Sequence, residues 1–238
     1  EMEQKASVEE IRARFDQDVE RFSSLETGQM TTQDAALVLD LIASAAARVT
    51  PHAKRLLDLG CGAGNFSLKL ARQFDFARIT LVDLSANMLD RAVERVREGA
   101  PMAEVQRLQI DVRELVLEPE SQDVMVAAAV LHHLRTEAEW RAVFAQLFQA
   151  LRPGGSLWIW DLVEHDIPAL QELMWDRYGD FLAAQKGEEH RRKVFEYVRY
   201  EDSPRSIAFQ LHELREVGFV ADVVHKNGCF AAIGALRP

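Results

Sequence analysis

The chain has 238 residues, of which 48% are hydrophobic and 28% are charged, so it can bury one sizeable core and favours a single domain. Its formal net charge of -10 provides no overall field to attract phosphate backbones, which disfavours nucleic acid as a partner. No run approaches the roughly 20 apolar residues that span a bilayer, the first residues are polar and only two cysteines occur, so we expect a cytoplasmic protein without membrane association.

Two segments with the apolar periodicity of an α-helix occupy most of the first 50 residues. Apolar side chains recur on one helical face in each segment: Val8, Ile11, Phe15, Val19 and Phe22 in the first, and Val38, Leu41, Ile42, Ala45 and Val49 in the second. We expect residues 1–50 to form an N-terminal helical lid on a domain that spans residues 51–238. A homodimer contact is the open alternative for these apolar faces.

From Arg55 onward, short apolar runs alternate with helical periods, which is typical of βαβ units around a parallel sheet. The predicted strands are Arg55 to Leu59, Ile79 to Val82, Val105 to Ile110, Val124 to Ala129 and Ser156 to Trp160. Residues 166–200 contain a helical period and a charged stretch without a strand between them, which predicts a helical insertion at about 166–200. Near the C-terminus, Asn227-Gly228 between two apolar runs predicts a β-hairpin.

A glycine-rich loop follows the first predicted strand. Asp58 precedes Gly60, Gly62 and Gly64, and glycine at these positions permits a tight turn and lets a ligand lie against bare backbone. A dinucleotide fingerprint needs its third glycine where this chain has Asn65, so the spacing disfavours NAD. The next predicted strand is followed by Asp83, a carboxylate suited to accept hydrogen bonds from both hydroxyls of a ribose.

The acid-x-Gly-x-Gly-x-Gly run at the end of the first strand resembles the first motif of the class I S-adenosylmethionine (SAM)-dependent methyltransferases. The resemblance continues through Asp111 after the third strand and through the segment from Asp123 to Leu134, and covers residues 55–163 well. It implies a Rossmann-like, doubly wound α/β fold with a seven-stranded sheet of order 3-2-1-4-5-7-6, in which strand 7 is antiparallel. It also implies methyl transfer from SAM to a small-molecule acceptor, with S-adenosylhomocysteine (SAH) as the product.

The same resemblance implies a set of cofactor-binding residues. They are Asp58, Gly60, Gly62, Gly64, Asp83, Leu84, Met88, Asp111, Val112 and Ala128. Each aspartate taken singly is equally well explained as a helix cap or turn residue. Three of them in the family's order, beginning at the glycine loop, favour cofactor binding.

Catalytic residues are harder to predict, because in-line methyl transfer requires mainly alignment and the exclusion of water. His132 follows the fourth strand and is our candidate general base, although local packing of the His132-His133 pair is an alternative explanation. Asp161, Glu164 and His165 cluster after the fifth strand. Their spacing matches no specific metal motif, so we predict no metal site.

A narrower resemblance concerns both ends of the chain. The segment from Arg14 to Phe22 and the residues Gly228 to Phe230 are similar to the carboxy-SAM synthase branch, which acts in tRNA modification. In that branch the N-terminal segment folds over the cofactor and an arginine binds the extra carboxylate, for which Arg215 is the nearest candidate here. A carboxy-SAM synthase-like enzyme and a non-catalytic SAM-binding protein therefore remain the alternatives.

Overall fold

The central strands form where short aliphatic runs are buried on both faces, and the computed structural model describes residues 5–19 and 31–238. Consecutive residues such as Leu56 and Leu57 belong to two different apolar clusters, one on each side of the sheet. The strands are β1 (Arg55–Leu59), β2 (Arg78–Asp83), β3 (Glu104–Gln109), β4 (Gln122–Ala128), β5 (Leu151–Glu164), β6 (Arg205–Ser206), β7 (Val220–Asn227) and β8 (Phe230–Leu236).

Amphipathic helices cover both faces of this sheet. They are α1 (Val8–Gln17), α2 (Ala35–Val49), α3 (Asn65–Ala71), α4 (Ala86–Gly99), α5 (Glu137–Ala150), α6 (Pro168–Lys186), α7 (Glu188–Glu201) and α8 (Ile207–Glu216), with a 3-10 turn at Leu131–His133. In the described ranges no helix is both long enough and apolar enough to cross a membrane.

The sheet has the order β3-β2-β1-β4-β5-β8-β7, and the two-residue β6 pairs separately with β5. The strands from β3 to β5 are parallel, whereas β8 runs antiparallel to both β5 and β7. Without β6 in the count, this is the predicted order 3-2-1-4-5-7-6 with an antiparallel last strand, so the predicted fold class is confirmed. Strand order reverses between β1 and β4, where such sheets open a ligand crevice beyond the carboxyl ends of the strands.

The fifth strand is longer than the sequence pattern predicts. Instead of Ser156 to Trp160 it spans Leu151–Glu164, because the Pro153-Gly154-Gly155 segment continues the strand rather than preceding it. The N–H of Gly154 donates to the carbonyl of Arg237 at 2.8 Å, and the register to β4 shifts between Gln122 and Val124. The strand therefore begins with an irregular but hydrogen-bonded segment.

The N-terminal helices occupy two different places. Helix α2 buries its apolar face, including Val38 and Ile42, in the main core cluster. Helix α1 instead lies beside α7 and the start of α4: the N–H of Ala6 donates to the Tyr200 carbonyl at 2.8 Å, and Ser85 donates to Asp16. Residues 1–4 and 20–30 of the predicted lid lie outside the described residues, and the domain boundary at residue 50 stays a prediction.

Helices α6 and α7 occupy the region of the predicted insertion. They form a pair held by aromatic packing, with the rings of Trp175 and Phe195 stacked at 4.4 Å between centroids. The pair is tied to the segment before α2, because the hydroxyl of Tyr178 donates to the Thr31 carbonyl at 2.7 Å.

A buried carboxylate fastens the start of β4 to the start of β1. Asp123 Oδ2 accepts the backbone N–H groups of Lys54 and Arg55 at 2.8 and 2.9 Å, and Oδ1 accepts from the side chains of Arg55 and Arg152 at 2.8 and 2.7 Å. Burial alone would raise the pKa of Asp123, but these donors hold it below its usual value. The cluster thus stabilises the amino-terminal ends of β1 and β4, which lie opposite to the carboxyl ends where such sheets open a ligand crevice.

We expect Asp123→Asn to lower the free energy of unfolding by about 2–3 kcal/mol, because it removes the charge and one acceptor oxygen from four donors. The arginines are partly exposed, which keeps the expected loss below that of a fully buried pair. Urea denaturation measures the effect. The matched control is Asp90→Asn on the surface of α4, where loss of the exposed pair with Arg107 should change stability by at most about 0.5 kcal/mol. Equal effects in the two variants would contradict the assignment.

Candidate functional site

The glycine loop turns the chain from β1 into α3 through three left-handed backbone positions. Gly60, Gly62 and Gly64 have φ angles of 62°, 50° and 84°. A Cβ atom at Gly60 would lie 2.6 Å from Cβ of Val130, whereas one at Gly62 would meet nothing within 4 Å. Gly60 therefore permits close packing, and Gly62 leaves bare backbone facing open space.

Gly64 has a third role. It caps the N-terminus of α3, and a Cβ atom there would lie 3.2 Å from Val96 and 3.4 Å from Ala92 on α4. This glycine lets α3 and α4 approach each other, and it is not among the residues that line the cavity described below.

Two of the predicted aspartates brace the loop. Asp83, at the end of β2, accepts the N–H of Gly62 on one oxygen and the N–H of Ser85 on the other, both at 2.9 Å. Asp58, near the end of β1, accepts the hydroxyl of Ser67 at 2.6 Å. Burial raises the pKa of both carboxyl groups, to about 7 for Asp58, because desolvation penalises the charged form.

The third aspartate has a different environment. Asp111 follows β3 and accepts the Nε and Nη2 hydrogens of Arg113 at 2.8 and 2.5 Å. Burial alone would raise the pKa of Asp111, but the guanidinium outweighs it and holds that pKa below the usual value. Asp111 is therefore an ionised hydrogen-bond acceptor at neutral pH.

One cavity collects these groups. Of the predicted cofactor-binding residues, the cavity wall contains Asp58, Gly60, Gly62, Asp83, Leu84, Met88, Asp111, Val112 and Ala128, together with His132. The wall thus joins the ends of four parallel strands, as the switch point between β1 and β4 requires. That these residues contact a cofactor stays a prediction.

A second group of polar residues lies beside the 3-10 turn that follows β4. Asp161 on β5 accepts the backbone N–H groups of Leu131 and His132 at 3.0 and 3.2 Å and also contacts Nδ1 of His132. On the other side, Oδ1 of Asp202 lies 3.4 Å from Nε2 of His132 and 3.5 Å from Nδ1 of His133. Four residues from three separate segments therefore meet at the cavity wall.

The electrostatics of this group follow from its carboxylates. Burial alone would lower the pKa of His132, but Asp161 and Asp202 more than offset it and raise the pKa to about 9. Burial and the neighbouring His132 lower the pKa of His133 well below its usual value. In the absence of a ligand, His132 is therefore a cation at neutral pH and His133 is neutral.

The rest of the cavity wall includes several aromatic side chains, of which the sequence indicates only Trp160 and Tyr178 as candidates for an aromatic pocket. Its aromatic members come from α1, α3, β5, α6, α7 and β8: Phe15, Phe66, Trp160, Tyr178, Tyr197 and Phe230. Asp202, just after α7, was missed too, because neither a motif nor a period marks it. Of the polar cluster proposed after the fifth strand, only Asp161 lines the cavity, since His165 instead bonds to Gln171.

The guanidinium groups of the cavity wall are already paired with carboxylates. Arg14 makes two hydrogen bonds to Glu201, at 2.7 and 2.6 Å, and Arg113 is held by Asp111. Arg215, considered above for an extra carboxylate, donates to the carbonyl of Ala221 at 2.9 Å and is not part of the wall. Within residues 5–19 and 31–238, the cavity thus lacks an arginine without a carboxylate partner.

Comparison with known proteins relates this geometry to a family. A family model described as a methyltransferase domain matches residues 56–155. Carboxy-SAM synthases of Trichodesmium erythraeum and Chromohalobacter salexigens are both 32% identical to the chain, over 170 and 184 residues, which are 69% and 74% of it. The matches cover 65% of each synthase, so the chain spans just under two thirds of these relatives.

Solved structures share the whole architecture. The DhpI-SAM-HEP complex superimposes with a TM-score of 0.63 at 19% identity and covers 97% of each chain. At this identity the likeness concerns the fold, which extends beyond the matched domain to the terminal and inserted helices.

The raised pKa of Asp58 predicts a pH dependence of stability. In the folded protein this carboxyl group has a pKa of about 7, above the ordinary unfolded value of about 3.9. The stability that the folded state gains from holding this proton is complete below the unfolded pKa and is lost as pH rises through about 7. Asp58→Asn keeps an acceptor for Ser67 but cannot ionise. We expect the melting temperature of Asp58→Asn minus that of the wild type to be several degrees higher at pH 8 than at pH 5.

Differential scanning calorimetry of the ligand-free protein at the two pH values measures this effect. Asp75→Asn, at an exposed position, is the matched control and should follow the wild type at both. A constant difference between Asp58→Asn and wild type would show that the carboxyl group does not titrate in this range.

Proposed function

We propose that this chain is a class I SAM-dependent methyltransferase that transfers the methyl group of SAM to a small-molecule acceptor, a proposal supported by its likeness to the methyltransferase-domain model and to the carboxy-SAM synthases. One observation carries the proposal: strand-end carboxylates and the bare glycine loop share a cavity with a separate aromatic wall. Such a cavity offers one polar region for the cofactor and one apolar region for an acceptor.

The polar region fits the chemical groups of SAM. A carboxylate offers about four acceptor positions, and the backbone N–H groups of Gly62, Ser85 and Leu84 interact with Asp83, which leaves acceptor capacity for a ribose hydroxyl. Asp58 is a buried carboxyl group that an ammonium group would stabilise in its charged form. Asp111 retains acceptor capacity for an adenine amino group, and the open side of Gly62 lets a ligand approach the backbone.

The chain's own task is then to align and enclose the reactants. SAM supplies the electrophilic methyl group on its sulfonium, so a shaped, dry cavity contributes more than an elaborate set of catalytic groups. Tyr178, Trp160 and Phe230 are buried, and their rings pack on one another along the acceptor side. This wall suits an acceptor with an apolar or aromatic body.

The role of His132 as a general base stays a prediction, and the two carboxylates beside its ring make that role less favourable. The imidazole lies between Asp161 and Asp202 and is a cation at neutral pH, whereas a general base must begin neutral. As a cation, His132 would orient an acceptor by donating a hydrogen bond. The homodimer and the cytoplasmic location also remain predictions from the sequence.

A carboxy-SAM synthase-like activity is the second candidate, and the 32% identity to such synthases favours it. The pairing of Arg14 with Glu201 and of Arg113 with Asp111 argues against it, since an additional carboxylate on the ligand would need a cationic partner. We therefore favour SAM itself as the bound nucleoside. A SAM-binding protein without turnover is the remaining alternative, which an acceptor screen distinguishes.

Cofactor binding is tested first at Asp83. Asp83→Asn should weaken the binding of SAM and SAH by roughly 10- to 100-fold, because hydrogen bonds to a charged group contribute about 1.5–3 kcal/mol. Isothermal titration calorimetry provides the dissociation constants, with NAD as a ligand that should not bind. Asp90→Asn is the control on exposed surface. Unchanged affinity in Asp83→Asn would remove the ribose assignment, and preferential NAD binding would remove the proposed function.

The identity of the cofactor is tested by mass spectrometry of the nucleoside that co-purifies with the protein or exchanges into it. We expect the masses of SAM and SAH, because both arginines that line the cavity in the described ranges are already paired with carboxylates. Recovery of a carboxylated SAM from the wild-type protein would contradict the methyltransferase proposal. It would favour the synthase-like alternative.

A further inference from the structure

Three potential metal ligands converge at the cavity wall although they share no sequence motif. They are Nε2 of His132, Nδ1 of His133 and Oδ1 of Asp202, and these atoms all lie within 4.8 Å of one another. We propose that these three residues bind a divalent transition metal ion, with Zn²⁺ as the ion that they fit best.

The spacing of the ligand atoms supports this site. Oδ1 of Asp202 lies 3.4 Å from Nε2 of His132 and 3.5 Å from Nδ1 of His133. Zinc binds imidazole nitrogen and carboxylate oxygen at about 2.0–2.2 Å, which places neighbouring ligand atoms of a tetrahedron about 3.3–3.6 Å apart. Two imidazoles and one carboxylate also suit zinc better than Mg²⁺ or Ca²⁺, which prefer oxygen ligands.

A carboxylate behind the first histidine supplies independent support. Asp161 contacts Nδ1 of His132, the ring nitrogen that faces away from Asp202. In metal sites the ligating histidine commonly donates its second N–H to such a carboxylate, which fixes the ring and directs the other nitrogen to the ion. Asp161 is itself held by the N–H groups of Leu131 and His132, so the arrangement is fixed before any ion binds.

The hydrogen bonding of His133 is compatible with metal binding through Nδ1. Its Nε2 is buried and makes no hydrogen bond to the described part of the protein, while Nδ1 lies 3.5 Å from both Asp202 and the Glu201 carbonyl. A proton on Nε2 gives up only the long 3.5 Å hydrogen bond that Nδ1–H could donate to the Glu201 carbonyl, and it leaves the Nδ1 lone pair directed towards the shared position. The ring is also braced by edge-to-face packing with Phe15 at 6.0 Å.

The charge around the cluster favours a cation. Asp161, Asp202 and Glu201 bring three carboxylates to this part of the wall, and the nearby cations are Arg14 and Arg135. Arg14 is committed to Glu201, and Arg135 donates to the carbonyl of Glu201 and the hydroxyl of Ser203. Binding of the ion would displace the Nε2 proton of His132 to solvent, because only the neutral imidazole has a lone pair on that atom. The competing interpretation is that a protonated His132 alone balances Asp161 and Asp202.

An ion at this position would meet the contents of the cavity, because His132, His133 and Asp202 all line it. Three protein ligands leave the fourth tetrahedral position to come from the cavity, the arrangement typical of functional rather than structural zinc sites. The inferred acceptor class rests on the proposed function: an acceptor that offers a hydroxyl or another oxygen as a metal ligand. The ion site itself does not depend on methyl transfer.

The experiment uses the full chain without a polyhistidine tag, freed of metal by chelation. Titration with ZnCl₂ alone in a calorimeter should show one equivalent bound, and substitution with Co²⁺ should produce the strong visible absorption of a tetrahedral complex. His133→Ala and Asp202→Asn should each remove the cobalt absorption and the stoichiometric zinc binding. Asp161→Asn retains all three ligands and should weaken binding by roughly 10–100-fold.

His52→Asn, at an exposed turn, is the matched control and should bind zinc as the wild type does. Thermal unfolding of each variant excludes misfolding as the cause of a lost signal, and the cobalt spectrum of the wild type tests the geometry without any variant. Absence of stoichiometric binding to the wild type, or unchanged binding in both His133→Ala and Asp202→Asn, would overturn the metal site.

SAM titrations in parallel separate the two proposals. Zinc binding without SAM binding would leave the ion site standing and remove the proposed function. SAM binding without zinc binding would retain the methyltransferase and identify the cluster as an ion-pair network.

Discussion

The reversal of strand order between β1 and β4 is the constraint on which the rest of the site depends. Because all strands from β3 to β5 are parallel, their carboxyl ends meet at one edge of the sheet. Connections on the two sides of the reversal leave towards opposite faces and open a crevice between them. Asp58, Asp83 and Asp111 are far apart in the sequence, yet this topology brings them to one cavity.

Burying these carboxylates has an energetic cost that the apolar strands must offset. Desolvation raises the pKa of Asp58 and Asp83, so each disfavours the ligand-free folded state as it ionises. Backbone strain accompanies this cost at the end of β4, where Ala129 has a φ of 53° although it is not glycine. Strain and buried charge at the same edge are typical of a binding site, where function rather than stability determines the local structure.

The sequence predicts most of the sheet because each strand is a short apolar run with a clear boundary. It also predicts the three strand-end aspartates, since Asp83 and Asp111 follow their runs directly and Asp58 is the next-to-last residue of the first run. It does not predict that Asp202 joins His132 and His133, because this contact links the end of α7 to a turn about 70 residues earlier and depends on how α7 packs. The early start of β5 was missed for a related reason: hydrogen bonds to Arg237 keep Gly154 and Gly155 within a strand although local sequence favours a turn.

The two halves of the cavity are formed by different parts of the chain. The matched methyltransferase domain, residues 56–155, contains the strand ends and the glycine loop but includes none of α1, α6 and α7. Those three helices supply Arg14, Phe15, Tyr178 and Tyr197 to the wall, and Asp202 follows the last of them. The likeness to the methyltransferase-domain model thus concerns the half that we propose binds SAM. We propose that acceptor choice resides in the other half, which contains the aromatic side chains and the proposed metal ligands.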